Sequence, residues 1–255
     1  MSLALFDLTS RRALITGSSQ GIGYALALGL GRTGAKLVLN GRDEAKLEAA
    51  QASLRGEGIE ASFAAFDVSD HKAVVDAVER IEAEQGAIDI LVNNAGIQRR
   101  APLEEYPVET WHELMRTNLD SVFYVGQAVA RKMIPRGHGK IINIASLQSE
   151  AARPGIAPYT AAKGAVKNLT KGMCTDWARY GLQINAIGPG YFATPLNQAL
   201  IENPDFDAWL KTRTPAGRWG RVEELQGACI FLASSASDFV NGQILYVDGG
   251  VLATL

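Results

Sequence analysis

The sequence contains few cysteines and histidines, the residues that most often bind zinc or form disulfides. Of 255 residues, 2 are cysteine and 3 are histidine. Cys174 and Cys229 are far apart and neither belongs to a C-x-x-C pair, so a zinc site or a redox dithiol is not expected. His71, His112 and His138 are scattered without metal-ligand spacing. The composition therefore predicts no metal site and fits a reducing compartment.

Long apolar runs and an excess of basic residues are also missing. No segment approaches the roughly 18 uninterrupted apolar residues of a membrane span. The first apolar stretch ends at Asp7 and is too short for the core of a signal peptide. The 25 lysines and arginines are balanced by 27 aspartates and glutamates, so no basic surface for a phosphate backbone is expected. We therefore expect a cytoplasmic chain that binds neither membranes nor nucleic acid.

What the chain does contain is an alternation of short apolar runs with longer amphipathic stretches. The strand candidates cover 12–16, 36–40, 61–66, 88–93, 139–145, 182–187 and 243–247. The helix candidates cover 21–31, 44–55, 71–84, 109–133, 158–180 and 223–233. Strands that alternate with helices indicate βαβ crossovers, and their almost wholly apolar character indicates a parallel sheet buried on both faces. We expect an α/β fold, a single Rossmann domain over 1–255, whose doubly wound parallel sheet has about seven strands with helices on both faces.

The stretch 191–220 interrupts this alternation and carries Pro195, Pro204 and Pro215. It follows a strand whose carboxyl end should face the ligand of a doubly wound sheet. A long insertion at that place is often a lid over an active site. We expect a substrate lid at about 191–220, with an ordinary surface excursion as the alternative.

A glycine-rich turn separates the first strand from the first helix. Thr16 is followed by Gly17-Ser-Ser-Gln-Gly21-Ile-Gly23. Glycines allow the backbone to approach a pyrophosphate closely, and the helix N-terminus supplies free N–H groups and a positive dipole. Its place in the first βα turn favours a dinucleotide site over a simple tight turn.

Several further motifs occur in an order that resembles the short-chain dehydrogenase/reductase family. After the T-G-x-x-x-G-x-G loop come Asn93-Asn-Ala-Gly96, Asn118, Ser146, Tyr159-x-x-x-Lys163 and Pro189-Gly190. The resemblance covers nearly the whole chain and implies hydride transfer with a nicotinamide cofactor and a homotetramer. It implies cofactor contacts from Gly17, Ser19, Gln20, Gly21, Ile22, Gly23, Arg42, Asp67, Val68, Asn94, Ala95, Gly96, Tyr159, Lys163, Pro189, Gly190 and Thr194. Within that set, Asp67 should contact the adenine and Thr194 should hold the nicotinamide amide.

The end of the second strand bears on the choice between NAD and NADP. An acidic residue there would bind the ribose 2′-hydroxyl and repel a 2′-phosphate. Gly41 occupies that place and Arg42 follows, and an arginine can bind a phosphate through two hydrogen bonds. We expect NADP, with NAD possible. The alternative for Arg42 is a solvated surface charge.

Tyr159 and Lys163 are four residues apart on an expected helix, so they lie on one face. A phenol with a pKa near ~10 is a poor base at neutral pH, but a nearby ammonium lowers that pKa. Tyr159 can then act as the catalytic acid/base. The resemblance adds Ser146 to bind the substrate oxygen and Asn118 to position a water. Because all four residues are present, an enzyme is favoured over a non-catalytic NADPH-binding regulatory protein.

The substrate is indicated by charged and polar residues near the expected mouth of the site. Arg99 and Arg100 follow the Asn-Asn-Ala-Gly motif, and Gln148 and Arg153 precede the catalytic tyrosine. Such groups favour a polyhydroxylated acid, whose carboxylate either Arg99 or Arg100 could hold, although both could instead pair on the surface. The expected substrate contacts are Arg99, Ser146, Gln148, Arg153 and Tyr159.

Five segments resemble the sugar-acid dehydrogenases of the family: 93–100, 146–150, 159–174, 215–220 and 236–242. The resemblance implies interconversion of D-gluconate and 5-keto-D-gluconate. Two substrates remain as alternatives, 2-dehydro-3-deoxy-D-gluconate and a 3-oxoacyl group on a carrier protein.

Overall fold

The computed structural model describes residues 4–254, so the ends of the domain predicted over 1–255 lie outside the described residues. Seven parallel strands form one sheet in the order β3-β2-β1-β4-β5-β6-β7. The strands are β1 (Arg12–Ile15), β2 (Lys36–Gly41), β3 (Ala61–Ala65), β4 (Ile90–Asn93), β5 (Gly139–Ile144), β6 (Leu182–Pro189) and β7 (Ile244–Val247). The strand order reverses between β1 and β4, which opens a crevice at the carboxyl ends of the strands.

Helices cover both faces of the sheet. They are α1 (Gly21–Arg32), α2 (Glu44–Gly56), α3 (His71–Glu84), α4 (Val108–Met115), α5 (Ser121–Arg136), α6 (Ala157–Trp177), α7 (Gln198–Ile201), α8 (Pro204–Arg213) and α9 (Gln226–Ala233). One apolar core packs α1, α2 and α9 against the sheet, and a second packs α3, α5 and α6 against the other face. The central strand β4 is buried at every position, as its mostly apolar sequence requires. The predicted single-domain α/β fold is confirmed.

The helix predicted over 109–133 is the main local difference. It is divided by a π-helical turn, Arg116–Asp120, between α4 and α5. Such turns often occur at functional sites. The turn contains Asn118, one of the predicted site residues, so the helical setting expected for it is only partly correct.

The stretch 191–220 contains α7 and α8 and an aromatic cluster. Tyr191, Phe206, Trp209 and Trp219 pack with ring centroids 5.1–6.2 Å apart. Pro204 occupies the first turn of α8, where its missing N–H costs no hydrogen bond.

None of the helices within 4–254 combines the length and the apolar character that crossing a membrane requires.

Candidate active site

A cavity of about 610 Å³ lies at the carboxyl ends of the strands. The loops after β1, β2, β4, β5 and β6 all contribute to its walls. All seventeen residues of the predicted cofactor set line it: Gly17, Ser19, Gln20, Gly21, Ile22, Gly23, Arg42, Asp67, Val68, Asn94, Ala95, Gly96, Tyr159, Lys163, Pro189, Gly190 and Thr194. The parallel sheet therefore brings distant sequence motifs to one crevice.

The glycine-rich turn after β1 is shaped for close approach of a ligand. Gly17 has φ +63° and Gly21 has φ +61°, in the left-handed region that favours glycine. A Cβ on Gly23 would lie 2.4 Å from the carbonyl oxygen of Gly17, so no larger residue fits. No side chain caps the start of α1 at Gln20. The helix N-terminus thus remains available to a phosphate.

The Asn-Asn-Ala-Gly segment after β4 braces this turn. The Asn94 amide nitrogen donates to the carbonyl oxygens of Thr16 and Gly17 at 2.9 and 3.0 Å. The Thr16 hydroxyl accepts from the backbone nitrogens of Asn94 and Ala95 at 2.9 and 3.0 Å. Asn93 points elsewhere, because its amide bonds to Asn143 inside the core at 2.9 Å.

Two cationic side chains lie at the rim beyond β2. Arg42 and Lys46 both line the cavity, and their side chains are largely exposed. Within the described residues 4–254, each pairs with a single carboxylate, Arg42 with Asp67 at 3.7 Å and Lys46 with Asp43 at 3.4 Å. These long, exposed pairs are weak and leave the cations free to meet a phosphate.

The cavity wall contains the three predicted catalytic residues Ser146, Tyr159 and Lys163. The Lys163 ammonium nitrogen donates to the carbonyl oxygen of Ile144 at 2.7 Å and lies 5.7 Å from the centroid of the Tyr159 ring. The Ser146 hydroxyl accepts from the backbone nitrogen of Gln148 at 3.1 Å, and it lies close enough to Tyr159 to lower the pKa of that phenol. The spacing on α6 thus places both predicted side chains on one face.

The pKa values of this pair differ from the sequence expectation. Burial raises the pKa of Tyr159, and the Ser146 hydrogen bond and the Arg100 charge offset only part of that rise. Burial lowers the pKa of Lys163 to about 8. Desolvation therefore dominates the Tyr159 pKa in the chain alone, and the lowering expected from Lys163 together with an oxidised nicotinamide stays a prediction.

Asn118 is fully buried and does not line the cavity. Its side-chain oxygen accepts from the backbone nitrogen of Ile97 at 2.7 Å, and its amide nitrogen donates to the Ile97 carbonyl at 2.8 Å. The π-helical turn therefore fixes the loop that follows β4. The role of Asn118 in positioning a water stays a prediction.

The adjacent residues Arg99 and Arg100 have different surroundings. Arg99 is turned outward and pairs with Glu113 at 2.9 Å, and it does not line the cavity. Arg100 lines the cavity, and its charge acts on Tyr159. Burial and the nearby Arg153 lower the pKa of Arg100, which shows two cations close together. The geometry thus favours Arg100 over Arg99 as an anion ligand.

Arg153, Gln148 and Tyr191 form one polar wall of the cavity. The Gln148 amide nitrogen donates to the Tyr191 hydroxyl at 3.4 Å, and the nearby Arg153 charge lowers the pKa of that hydroxyl. The Arg153 guanidinium lies 5.2 Å from the centroid of the Phe206 ring. Tyr191 belongs to the stretch predicted as a substrate lid, and it lines the cavity.

Among residues 4–254, no salt bridge involves Arg100 or Arg153. Two neighbouring guanidinium groups without carboxylate partners suit an anionic ligand. Within the same residues no group of three or more His, Cys, Asp or Glu side chains could hold a metal ion.

The sequence and the structure both match known proteins. Residues 17–252 match the family described as Enoyl-(Acyl carrier protein) reductase. Gluconate 5-dehydrogenase of Gluconobacter oxydans (strain 621H) is 63% identical over 251 residues, 98% of each chain. The 5-keto-D-gluconate 5-reductase of Escherichia coli (strain K12) is 53% identical over 252 residues, 98% of this chain and 99% of that protein.

A solved crystal structure is also similar to this chain. Gluconate 5-dehydrogenase from Burkholderia cenocepacia J2315, in complex with NADP and tartrate, superposes with a TM-score of 0.98 at 61% identity over 100% of both chains. The parallel seven-stranded sheet and its helices agree with this structural match. The chain belongs to the short-chain dehydrogenase/reductase family.

Proposed function

We propose that the protein interconverts D-gluconate and 5-keto-D-gluconate by hydride transfer to or from NADP(H). The observation that carries the proposal is the cavity in which Arg100 and Arg153, without carboxylate partners, face the Ser146, Tyr159 and Lys163 cluster. A sugar acid has the two features that this cavity matches, an anionic end and a chain of hydroxyl groups. The similar proteins named above act on the same pair of compounds.

The part of the cavity beside the glycine-rich turn suits a dinucleotide. Gly17, Gly21 and Gly23 give a backbone that a pyrophosphate can approach, beside the uncapped start of α1. Arg42 and Lys46 suit the 2′-phosphate that distinguishes NADP from NAD. When bound, NADP(H) supplies or accepts the hydride.

Tyr159 carries the proton. In reduction its hydroxyl donates a proton to the carbonyl oxygen of the substrate, and in oxidation the phenolate takes the proton of the substrate hydroxyl. Because burial raises the pKa of Tyr159, the chain alone holds the protonated form at neutral pH. Oxidation should therefore be faster at alkaline pH.

Ser146, Lys163 and Asn118 support this step. The Ser146 hydroxyl lies beside Tyr159, lowers its pKa and binds the same substrate oxygen. With a pKa of about 8, Lys163 is mainly a cation at neutral pH and favours the phenolate one helical turn away. Asn118 fixes the loop at Ile97, at the edge of the cavity.

The substrate is held at its other end by the arginines. Arg100 and Arg153 bind the carboxylate, and Gln148 with Tyr191 contacts the hydroxyl groups. Arg99, paired with Glu113 outside the cavity, would reach the substrate only by breaking that ion pair. The stretch 191–220 acts as a lid, since it supplies Tyr191 and several further residues of the cavity wall.

The proposed assembly is a homotetramer in the cytoplasm. One face of α6 carries small residues that do not pack on the sheet: Ala161 is exposed, and a Cβ on Gly164 would meet nothing within 4 Å. Ala162, on the other face, is fully buried against the core of its own chain. The outward face suits close packing against a second copy. The two cysteines are free thiols, in keeping with a reducing compartment.

The alternatives are less favoured. A 2-dehydro-3-deoxy-D-gluconate 5-dehydrogenase would share the arginines and the catalytic residues, but the two named relatives above act on the gluconate pair. A 3-oxoacyl carrier-protein reductase needs a basic surface for an acidic partner, and the net charge is −2. A non-catalytic NADPH-binding protein would have no use for the complete Ser146, Tyr159 and Lys163 cluster.

The test is a spectrophotometric assay at mildly alkaline pH with NADP⁺ and D-gluconate, following NADPH absorbance. NAD⁺ and 2-dehydro-3-deoxy-D-gluconate run as parallel arms, and Tyr159→Phe is the control. We expect fast NADPH formation from gluconate that the Tyr159→Phe chain loses. Turnover of 2-dehydro-3-deoxy-D-gluconate alone would contradict the assignment of gluconate as the substrate. NADPH binding without any turnover would contradict the proposed enzymatic function.

A further inference from the structure

The turn at 146–150 begins with Ser146 and ends with two residues, Ser149 and Glu150, that have no part in the chemistry above. Its backbone is tightly closed. The nitrogen of Ser149 donates to the carbonyl of Ser146 at 2.9 Å, and the nitrogen of Glu150 donates to the carbonyl of Leu147 at 3.1 Å. In so short a turn, the position of its last residues fixes that of its first.

Ser149 attaches the turn to α6 at a functionally important residue. Its hydroxyl donates to the backbone carbonyl oxygen of Lys163 at 2.7 Å. The ammonium group of that same lysine bonds to Ile144, the last residue of β5, at 2.7 Å. Lys163 is therefore held from both ends, by the strand and by the turn.

Glu150 makes a second attachment, to two elements at once. One of its carboxylate oxygens accepts from the Lys167 ammonium at 2.6 Å and from the Tyr246 hydroxyl at 2.8 Å. Lys167 lies one helical turn beyond Lys163 on α6, and Tyr246 lies on β7. The hydrogen bonds from Lys167 and Tyr246 lower the pKa of Glu150, so it remains a carboxylate at neutral pH.

These contacts determine the distance between the Ser146 and Tyr159 hydroxyl groups, which the local structure around either residue does not determine. Ser146 follows β5, whereas Tyr159 lies on α6, and the chain between them crosses an open loop. The two hydroxyls must nevertheless meet at one substrate oxygen. A small misplacement of such a pair can lower a rate by one to two orders of magnitude.

We propose that Ser149 and Glu150 are positioning residues that clamp the turn at 146–150 onto α6 and β7 and thereby hold the Ser146 hydroxyl beside Tyr159. The proposal rests on the proposed function in one respect, that the two hydroxyls act on the same oxygen. The second half of the Ser-Leu-Gln-Ser-Glu segment, Ser149 and Glu150, thus has a positioning function.

The test compares Ser149→Ala, Ser149→Thr and Glu150→Ala with the wild-type chain. Kinetics are measured with NADPH and 5-keto-D-gluconate, NADPH affinity by fluorescence, and folding by thermal melting. Matched controls are Ser235→Ala, whose hydroxyl donates to the Leu5 carbonyl at 3.0 Å, and Glu79→Ala, which loses a 2.6 Å pair with Lys132 far from the cavity.

We expect Ser149→Ala and Glu150→Ala to lower kcat roughly tenfold, with KM and the NADPH Kd within about twofold. Ser149→Thr, which keeps the hydroxyl, should restore most of kcat, and the controls should leave it unchanged. A second measurement needs no substrate: the Tyr159 phenol is titrated by tyrosinate absorbance, as the difference between each chain and its Tyr159→Phe form. Displacement of the Ser146 hydroxyl, which lowers the Tyr159 pKa, should move this titration to higher pH in both alanine variants.

A kcat within twofold of wild type in both alanine variants, with an unmoved phenol titration, would overturn the positioning role. A fall in kcat that Ser149→Thr does not restore, or that the controls share, would also overturn it. If the wild-type chain fails to reduce 5-keto-D-gluconate while the phenol titration moves as expected, the proposed substrate is wrong and the positioning role stands.

Discussion

The free energy of unfolding of Lys163→Met, compared with that of the wild type, should be higher at neutral pH than at alkaline pH. Lys163 is 4% exposed, and burial lowers its pKa from 10.5 to about 8. Between these two pH values the unfolded chain binds more protons than the folded chain, so the stability of the wild type rises with pH. A drop from 10.5 to about 8 corresponds to a penalty of about 3 kcal/mol for burying the cation at neutral pH. Raising the pH from ~7 to ~9.5 should remove about 2 kcal/mol of that penalty.

Methionine has a similar length and no charge, so the penalty disappears at every pH. The substitution also removes the 2.7 Å hydrogen bond to the Ile144 carbonyl, which costs about 1–3 kcal/mol and varies little with pH. The difference in unfolding free energy between wild type and Lys163→Met should therefore shift by about 2 kcal/mol in favour of the wild type from pH ~7 to pH ~9.5.

The assay is urea unfolding of both chains at four or five pH values in that range, read by circular dichroism. Lys72→Met is the matched control: the Asp76 hydrogen bond raises the pKa of exposed Lys72, so its stabilising effect is lost only above the tested range. A wild-type-minus-Lys163→Met difference that stays flat with pH would refute the reasoning, because the buried amine would then titrate as it does in the unfolded chain.

The remaining predictions concern ligand binding. Arg100→Ala should raise KM for gluconate roughly ten- to hundredfold through loss of a charge-assisted hydrogen bond, whereas Arg99→Ala should leave KM near that of the wild type; equal effects would contradict the assignment. Arg42→Ala should weaken NADP⁺ binding about tenfold and leave NAD⁺ binding unchanged, as isothermal titration can show. Gly23→Ala should abolish binding of both cofactors, because the new Cβ would lie 2.4 Å from the Gly17 carbonyl oxygen, and unchanged affinity would exclude that crowding.

Much of the site could be predicted because its signals are local. The glycines of the turn after β1 are needed for backbone conformation and for close approach, and both requirements act within a few residues. The spacing of Tyr159 and Lys163 gives a common helical face without any knowledge of the rest of the chain. Parallel strands then bring these loops to one edge of the sheet, so the alternation of elements was enough to predict a shared crevice.

Other features depend on contacts between residues far apart in the chain. Arg99 and Arg100 are neighbours in a loop without periodic structure, and only their tertiary partners decide that one meets Glu113 and the other faces the cavity. The π-helical turn around Asn118 likewise follows from its bonds to Ile97, which lies 21 residues earlier in the sequence.

The sequence by itself determined the fold class, the glycine-rich turn and the shared helical face of Tyr159 and Lys163, because hydrophobic periodicity and motif spacing are properties of short segments. Only the tertiary structure decided the direction of the Tyr159 pKa shift, the arginine that faces the cavity and the contacts that Ser149 and Glu150 make with other elements. Desolvation and cross-element hydrogen bonds depend on which residues surround a group in space, and a linear pattern does not contain that information.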